Sequence, residues 1–382
     1  MLAVGVASQT AGTVFVSAPA FLIPLLHTER GLSLAEAGLL AATPTFGMVL
    51  TLVAWGALAD RIGERWVIAG GLLLTSLAGV GAMLADGYVM LGLFLLLGGA
   101  ASASTNSASG RVVVGWFPKD RRGLAMGIRQ MSQPLGVTVA AVTIPMIAAA
   151  NGISAAILVP VTLTALLAVV SALVVRNPPR AAPGVGPARN PYRASGFLAR
   201  IHTVSALLVV PQFVLSTFGL VWLVTEIGWE PLAAGILVGV AQFVGAIGRI
   251  GVGIWSDRLG SRVRLLRWVA LATTAVMLLL AAVDATGIVA AAGVALVIAS
   301  TSTVAPNGLA FTSVAEMAGP AWAGRALGVQ NTGQFIVASA VGPVFGALIG
   351  AVGYPLAFVV AAIAPAVAVP IVPREAAEVD HL

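Results

Sequence analysis

The chain reads as an all-α integral membrane protein, with twelve transmembrane helices forming two pseudo-symmetric six-helix bundles. Three observations predict this. Of 382 residues, 59% are hydrophobic and 9% are charged, whereas a soluble domain carries roughly a quarter charged residues. Apolar stretches of spanning length follow one another along the whole sequence. The second half then repeats landmarks of the first, such as Gly56 to Arg65 against Gly253 to Arg262.

So few charges could not cover the surface of a cytosolic enzyme, and they point to lipid as the main solvent. The 44 Gly and 21 Pro lie largely within apolar runs, where membrane helices tolerate them. The net charge of +6 does not indicate nucleic acid, because the basic residues lie between apolar segments and form no stripe. There is no cysteine, hence no disulfide, thiolate nucleophile or cysteine metal site. His27, His202 and His381 are too scattered for a zinc site. No phosphate-binding loop or nucleophile–His pair suggests an enzyme, and no cofactor is implied.

A spanning helix needs about 20 apolar residues. Such stretches fall at 3–26, 34–57, 66–85, 88–115, 123–149 and 154–175, then at 201–224, 232–255, 266–283, 286–312, 326–350 and 355–372. The first contains Ala18-Pro19-Ala20, a possible cleavage site, but it has no positive leader and exceeds a signal h-region. It is read as a spanning helix.

Of the 20 Lys and Arg, only Arg30 lies outside when the connections after helices 2, 4, 6, 8 and 10 are placed inside. The outer connections carry Glu29, Asp86, Glu226, Glu230 and Asp284. By the positive-inside rule both termini are inside. The expected organisation is a first bundle at 1–175, an inner linker at 176–200, a second bundle at 201–373 and a tail at 374–382. The linker holds five Pro and five Arg without an acid, a composition that favours a flexible connection beside an anionic leaflet.

The repeat runs at an offset of 197 from Gly56, Asp60, Arg61 and Arg65 to Gly253, Asp257, Arg258 and Arg262. The same offset relates Gly31 to Gly228 and Phe46 to Phe243. An offset of 201 relates Asn106 to Asn307, Gly127 to Gly328 and Gln133 to Gln334. The run Gly56-Ala57-Leu58-Ala59-Asp60-Arg61-Ile62-Gly63-Glu64-Arg65, with its weaker copy after helix 8, resembles the loop motif of the major facilitator superfamily. Glu64 departs from it, standing where a basic residue is common. The resemblance covers essentially the whole chain. It implies the fold of that superfamily and a secondary transporter of the bacterial inner membrane, moving a small solute by alternating access about a central site. It also implies an inner gate, in which Asp60 latches toward helix 11 and Asp257 toward helix 5. Arg61, Arg65, Arg258 and Arg262 would share the pairing or serve as topology determinants. Gly56 and Gly253 would admit close helix approach. Arg122-Gly123 and Gly324-Arg325 resemble a second inner-loop feature.

Polar residues inside membrane helices should face a cavity or another helix. Arg129, Gln130 and Gln133 on helix 5 correspond to Gln330, Asn331 and Gln334 on helix 11. This spacing covers about 100° of a helix face. Two such faces would oppose each other across the centre, or bond to neighbours within each half. Asn106 and Asn307 are further candidates because the repeat pairs them. Gln9, Thr13, His202 and Gln212 are weaker ones. His202 would carry a coupling proton or, near an inner helix end, remain a solvated histidine.

Arg129 lies about 10 Å into the membrane and Arg249 about 12 Å, where a charge is costly. Arg111 is nearer its inner end and would snorkel, bind solute or partner the Asp60 latch. Arg249 resembles the helix-8 arginine of monocarboxylate-type carriers, and Trp116-Phe117-Pro118 with Arg122-Gly123 loosely resembles carriers of small anions. No Asp or Glu falls mid-helix by these boundaries. Embedded guanidinium without embedded carboxylate favours a small organic anion, carboxylate-like, carried by proton symport or exchange. The alternative is a multidrug or metabolite efflux transporter. The expected partners are the solute, coupled protons and membrane lipids, with no nucleic acid, and a monomeric chain. The repeat sets Arg129 against Gln330 and Arg249 against Leu52, and these mismatches mark where solute recognition is sought.

Overall fold

The computed structural model describes residues 1–28, 31–116, 125, 128–177, 190–318 and 322–375. Helix α1 spans Leu2–Thr28, α2 Leu34–Ile62, α3 Glu64–Met83 and α4 Tyr88–Trp116. A 47-residue span follows at Ile128–Val174. Gly152 breaks it with φ 83° and ψ 175°, dividing it into α5 (128–151) and α6 (153–174). Beyond a one-turn helix at Pro191–Ala194, α7 covers Phe197–Glu226, α8 Pro231–Leu259 and α9 Arg262–Thr286. Helix α10 covers Ala291–Ala318. A second 47-residue span, Arg325–Ile371, is broken at Gly353 with φ 78° and ψ 171° into α11 (325–352) and α12 (354–371). An unbroken helix of that length would reach about 70 Å, against a hydrocarbon core of about 30 Å.

These elements follow the apolar runs closely, and the differences have local causes. Helix α9 starts four residues before the expected 266 because Ser261 caps it, accepting the Arg264 N–H. That first turn carries Arg262 and Arg264, which a hydropathy pattern discounts. The apolar run from 286 straddles Gly287, whose φ of +66° ends α9. At the start of α2, Ser33 and Glu36 form a reciprocal capping box, worth about 1 kcal/mol.

Among the described residues every positive φ belongs to glycine. These glycines fall into repeat pairs: Gly31 with Gly228, Gly63 with Gly260, Gly87 with Gly287, and Gly152 with Gly353. The same turns therefore recur in each half.

The chain divides into two compact units. The first comprises residues 1–182 with 228–239, and the second 183–227 with 240–382. The start of α8 thus belongs with the first unit. In that unit, α1 packs on α4 and the α5–α6 pair, α2 on α4, and α3 on α4 and the α5–α6 pair. Helices α2 and α4 approach closely. A Cβ at Gly47 would collide with the Leu96 carbonyl, and one at Gly99 with Pro44. This close contact is the small-residue packing that holds membrane helices together. Thr51 Oγ1 and Trp55 Nε1 both donate to the Ala100 carbonyl, at 2.6 and 2.7 Å. The start of α8 packs on α5, where the Thr138 hydroxyl donates to the Gly239 carbonyl at 3.2 Å.

In the second unit an apolar core gathers Ile201, Val204 and Leu208 of α7, Leu265 and Leu266 of α9, Leu309 and Val314 of α10, and Ala368 of α12. Pro306 interrupts α10 and lacks the N–H that would bond the Ser302 carbonyl. The Thr273 hydroxyl of α9 donates to that carbonyl instead, at 3.2 Å. Helix α7 widens at Trp222–Glu226, where the Ile227 N–H reaches the Trp222 carbonyl. There Trp222 donates to Asp284 at 2.7 Å and stands edge-on to Phe358.

Several basic residues cap helix C-termini. Arg200 Nε donates to the Ile371 carbonyl at 2.8 Å, and Arg267 to Val372 and Pro373. A cation here meets both the orphan carbonyls and the negative helix end. Arg264 pairs with Glu375 at 2.8 Å and holds that carboxyl below its usual range. Meanwhile large apolar side chains such as Leu73, Leu74, Leu77, Leu271 and Leu279 are about half exposed, as lipid-facing positions are.

The backbone at Gly152 and Gly353 lies in a region open essentially to glycine alone, at a cost of about 1–3 kcal/mol for other residues. Gly152→Ala and Gly353→Ala should each lower the thermal unfolding midpoint in detergent. Gly350→Ala should not, since the Cβ there meets nothing within 4 Å. Scanning fluorimetry of the three variants checks this.

Candidate functional site

Each unit buries a chain of side-chain amides that joins three helices. In the first, Gln9 of α1 donates through Nε2 to Asn106 Oδ1 of α4 at 2.9 Å. The Ser109 hydroxyl of α4 donates to Gln9 Oε1 at 3.1 Å. Arg129, at the start of α5, completes the chain. Its Nε donates to Ser109 Oγ at 2.9 Å and its Nη2 to the Asn106 carbonyl at 3.1 Å. In the second unit Asn307 of α10 donates through Nδ2 to Gln212 Oε1 of α7 at 2.8 Å. Gln334 Nε2 of α11 donates to Asn307 Oδ1 at 3.1 Å and to Ser205 Oγ at 2.6 Å.

Asn106 and Asn307 thus stand at the centre of corresponding networks. Their repeat partners on the fifth helix of each half differ. Gln334 bonds Asn307 directly, whereas its counterpart Gln133 is partly buried and makes no hydrogen bond to another described residue. Arg129 occupies that place instead. Gln330, the counterpart of Arg129, turns to His202, whose Nδ1 lies 2.6 Å from Gln330 Oε1. Asn331 bonds its own helix at the Leu327 carbonyl, and Gln130 is partly buried. Gln9, Gln212 and Ser205 are therefore central, although the sequence ranked the first two low and did not single out Ser205. Gln9 and Gln212 sit at different repeat offsets from their asparagines, so alignment alone does not match them.

Arg249 of α8 is partly buried. Its Nε donates to the Val304 carbonyl at 3.1 Å, beside the break in α10. Its remaining donors have no partner among the described residues. Close packing of α8 against α10 at Gly245 and Gly248 sets the guanidinium there. The described carboxylates Glu36, Glu64, Asp284 and Glu316 all occupy first or last helical turns.

The expected gate is placed only in part. The side chains of Asp60, Asp257 and Arg111 lie outside the described residues, as do residues 117–124, which include Arg122-Gly123. Arg65 binds the end of α6, donating from Nε to the Ala172 carbonyl at 2.7 Å, while its guanidinium stacks over Trp66. Arg262 donates to Ser256 at 3.0 Å and pairs with Glu316 at 3.3 Å. Arg61 and Arg258 are exposed. A Cβ at Gly56 or Gly253 would meet no atom within 4 Å, so the close approach expected there is absent among the described residues. On α2 that approach occurs at Gly47.

A polytopic helical protein whose buried polar groups collect at matching places in two repeats has the architecture of a solute transporter. The family model of the Major Facilitator Superfamily matches residues 4–341, and the chain belongs to this superfamily. It is a multi-pass membrane transporter, not an enzyme. An uncharacterized MFS-type transporter of Mycobacterium tuberculosis is 47% identical over 94% of this chain and 81% of its own length. The hexuronate transporter of Bacillus subtilis is 25% identical over 35% of this chain and 32% of its own. The fold is also that of a bacterial homologue of the human lysosomal transporter Spinster, solved inward-facing and occupied. That match has a TM-score of 0.81 at 16% identity, covering 100% of this chain and 96% of that one.

Interhelical hydrogen bonds in membranes average about 0.6 kcal/mol and reach about 1.7. A double-mutant cycle of Gln212→Ala and Asn307→Ala should give a coupling energy in that range. Pairing Asn307→Ala with Thr286→Ala, which ends α9 and among the described residues bonds only its own helix, should give none. Unfolding in mixed micelles measures both.

Proposed function

We propose that this transporter carries a small organic anion, carboxylate-like, across the bacterial inner membrane by alternating access. Transport is in symport with protons or in exchange. The observation that carries this reading is Arg249, a guanidinium inside a membrane helix and anchored by one nitrogen to a neutral carbonyl. The planar fork that remains suits the two oxygens of a carboxylate. Arg129 supplies a second cation, set against Ser109 and the Asn106 carbonyl. The absence of carboxylate from mid-helix positions in the described residues favours an anion over a cationic drug. The distant likeness to a transporter of hexuronate, itself a carboxylate, agrees with this.

In this reading Gln130, Gln133, Gln330, Asn331 and Gln334 complete the polar surround of the solute, with Asn106 and Asn307 holding it in shape. All twelve helices cross the bilayer, both termini are cytoplasmic, and the chain acts as a monomer among membrane lipids. Asp60 and Asp257, with Arg61, Arg65, Arg111, Arg258 and Arg262, form the inner gate.

In proteoliposomes, Arg249→Ala should reduce uptake of at least one small carboxylate more than tenfold. Arg249→Lys should restore it only partly, since lysine keeps the charge and loses the fork. Lactate, oxalate and glucuronate serve as probes. Unchanged uptake of every carboxylate tested in Arg249→Ala and Arg129→Ala would refute the proposal.

A further inference from the structure

His202 is built into the protein rather than solvated. It sits in the second turn of α7, partly buried between two oxygen-bearing partners. Its Nδ1 lies 2.6 Å from Gln330 Oε1 and its Nε2 lies 2.9 Å from the Tyr192 hydroxyl. Tyr192 belongs to the one-turn helix Pro191–Ala194 and stacks on the imidazole at 5.9 Å and 26°. Its other side meets the edge of Trp322. Gln330 is 2% exposed, and its Nε2 has no hydrogen-bond partner.

In the neutral ring, Nδ1–H donates to the Gln330 carbonyl and Nε2 accepts from the tyrosine O–H. A hydroxyl also accepts. Rotation of that O–H therefore lets the ring bind a second proton at Nε2 and donate on both sides without moving a heavy atom. Tyr192 and Gln330 therefore suit the imidazolium as well as the imidazole. The repeat adds an independent observation. The first half has Gly5 and Arg129 where the second has His202 and Gln330. A fixed cation in one half corresponds to a titratable one in the other.

We propose that His202 is a proton-binding residue of this transporter, held between Tyr192 and Gln330, and that its protonation adds to the second half a charge corresponding to Arg129. The role in coupling rests on the anion-transport reading; proton binding at His202 does not. The charged groups on the surrounding elements are engaged elsewhere or exposed. Arg193 is exposed, Arg200 bonds the end of α12, Arg325 stacks on Trp322, and Glu316 pairs with Arg262. Among the described residues no carboxylate bonds His202. Tyr192 is the titratable neighbour that faces it. The chain from Tyr192 through His202 to Gln330 ends one helical turn from Gln334, which bonds Asn307.

The sequence has three histidines, so histidine-selective 15N labelling of the whole protein gives a spectrum that can be assigned. The His202 resonances should report a proton taken up at Nε2 as the pH is lowered across the histidine range, and Tyr192→Phe should alter that response. In proteoliposomes, KM for glucuronate or lactate should fall about tenfold from pH 8 to pH 6. In His202→Gln it should vary less than twofold. A His202 signal that does not titrate in this range overturns proton binding even if His202→Gln fails to fold. A titrating His202 with an unaltered pH profile in His202→Gln overturns the coupling role. If the unsubstituted protein transports none of lactate, oxalate and glucuronate, the anion reading fails while the titration still decides the proton site.

Discussion

Inside a bilayer there is no water to accept a polar group, so each one must find a partner within the protein. The rest of this structure follows from how that constraint is met. Asn307 donates from its side-chain amide to Gln212 and accepts from Gln334, while Asn106 accepts from Gln9 on its side chain and from Arg129 on its backbone carbonyl. By doing so they fix α1 to α4 and α5 in one half, and α7 to α10 and α11 in the other. Leucine packing cannot do this in lipid, where the surrounding tails are as apolar as the helix faces. The amides supply the specificity, and glycine contacts such as Gly136 of α5 against the Thr10 carbonyl of α1 bring the backbones close enough to use it.

The repeat shows which features belong to the scaffold. Paired glycines at the helix ends have the same backbone sign in both halves, and a positive φ is a geometric requirement that no other residue meets cheaply. Features that recur in this way build the bundle. Features that do not recur are available for selectivity. Arg129 against Gln330 and Arg249 against Leu52 are changes of charge between the halves, and Gly5 against His202 sets a titratable side chain against none. A charge in hydrocarbon is expensive: Arg129 is held by Ser109 and the Asn106 carbonyl, whereas Arg249 is held by one carbonyl.

Much of the fold was legible in the sequence because apolar length, loop charge and glycine position are each set by one segment at a time. The helix ends that differed did so at Ser261 and Gly287, where a cap or a turn residue outweighed hydropathy. The site was less legible. A hydrogen bond between Gln9 and Asn106 joins residues 97 apart, and their register depends on how α1 and α4 pack. The sequence identified Asn307 and Gln334 as polar and paired by repeat, but not that Gln212 and Ser205 would be their partners. It offered close packing at Gly56 and Gly253, whereas on α2 that contact lies at Gly47, one residue beyond Phe46 in the same run.

Arg65 and Arg200 add a further distinction. Both count toward the positive-inside asymmetry, which is a statement about insertion. In the folded chain they also bind the last carbonyls of α6 and α12. The cap alone accounts for each charge, so an arginine at a helix end is by itself weak grounds for a gate. The embedded arginines are different. Arg249 is set back from the end of its helix and spends only one described donor on the protein. Its position aids neither insertion nor capping, which sets it apart from the more numerous arginines at the helix ends.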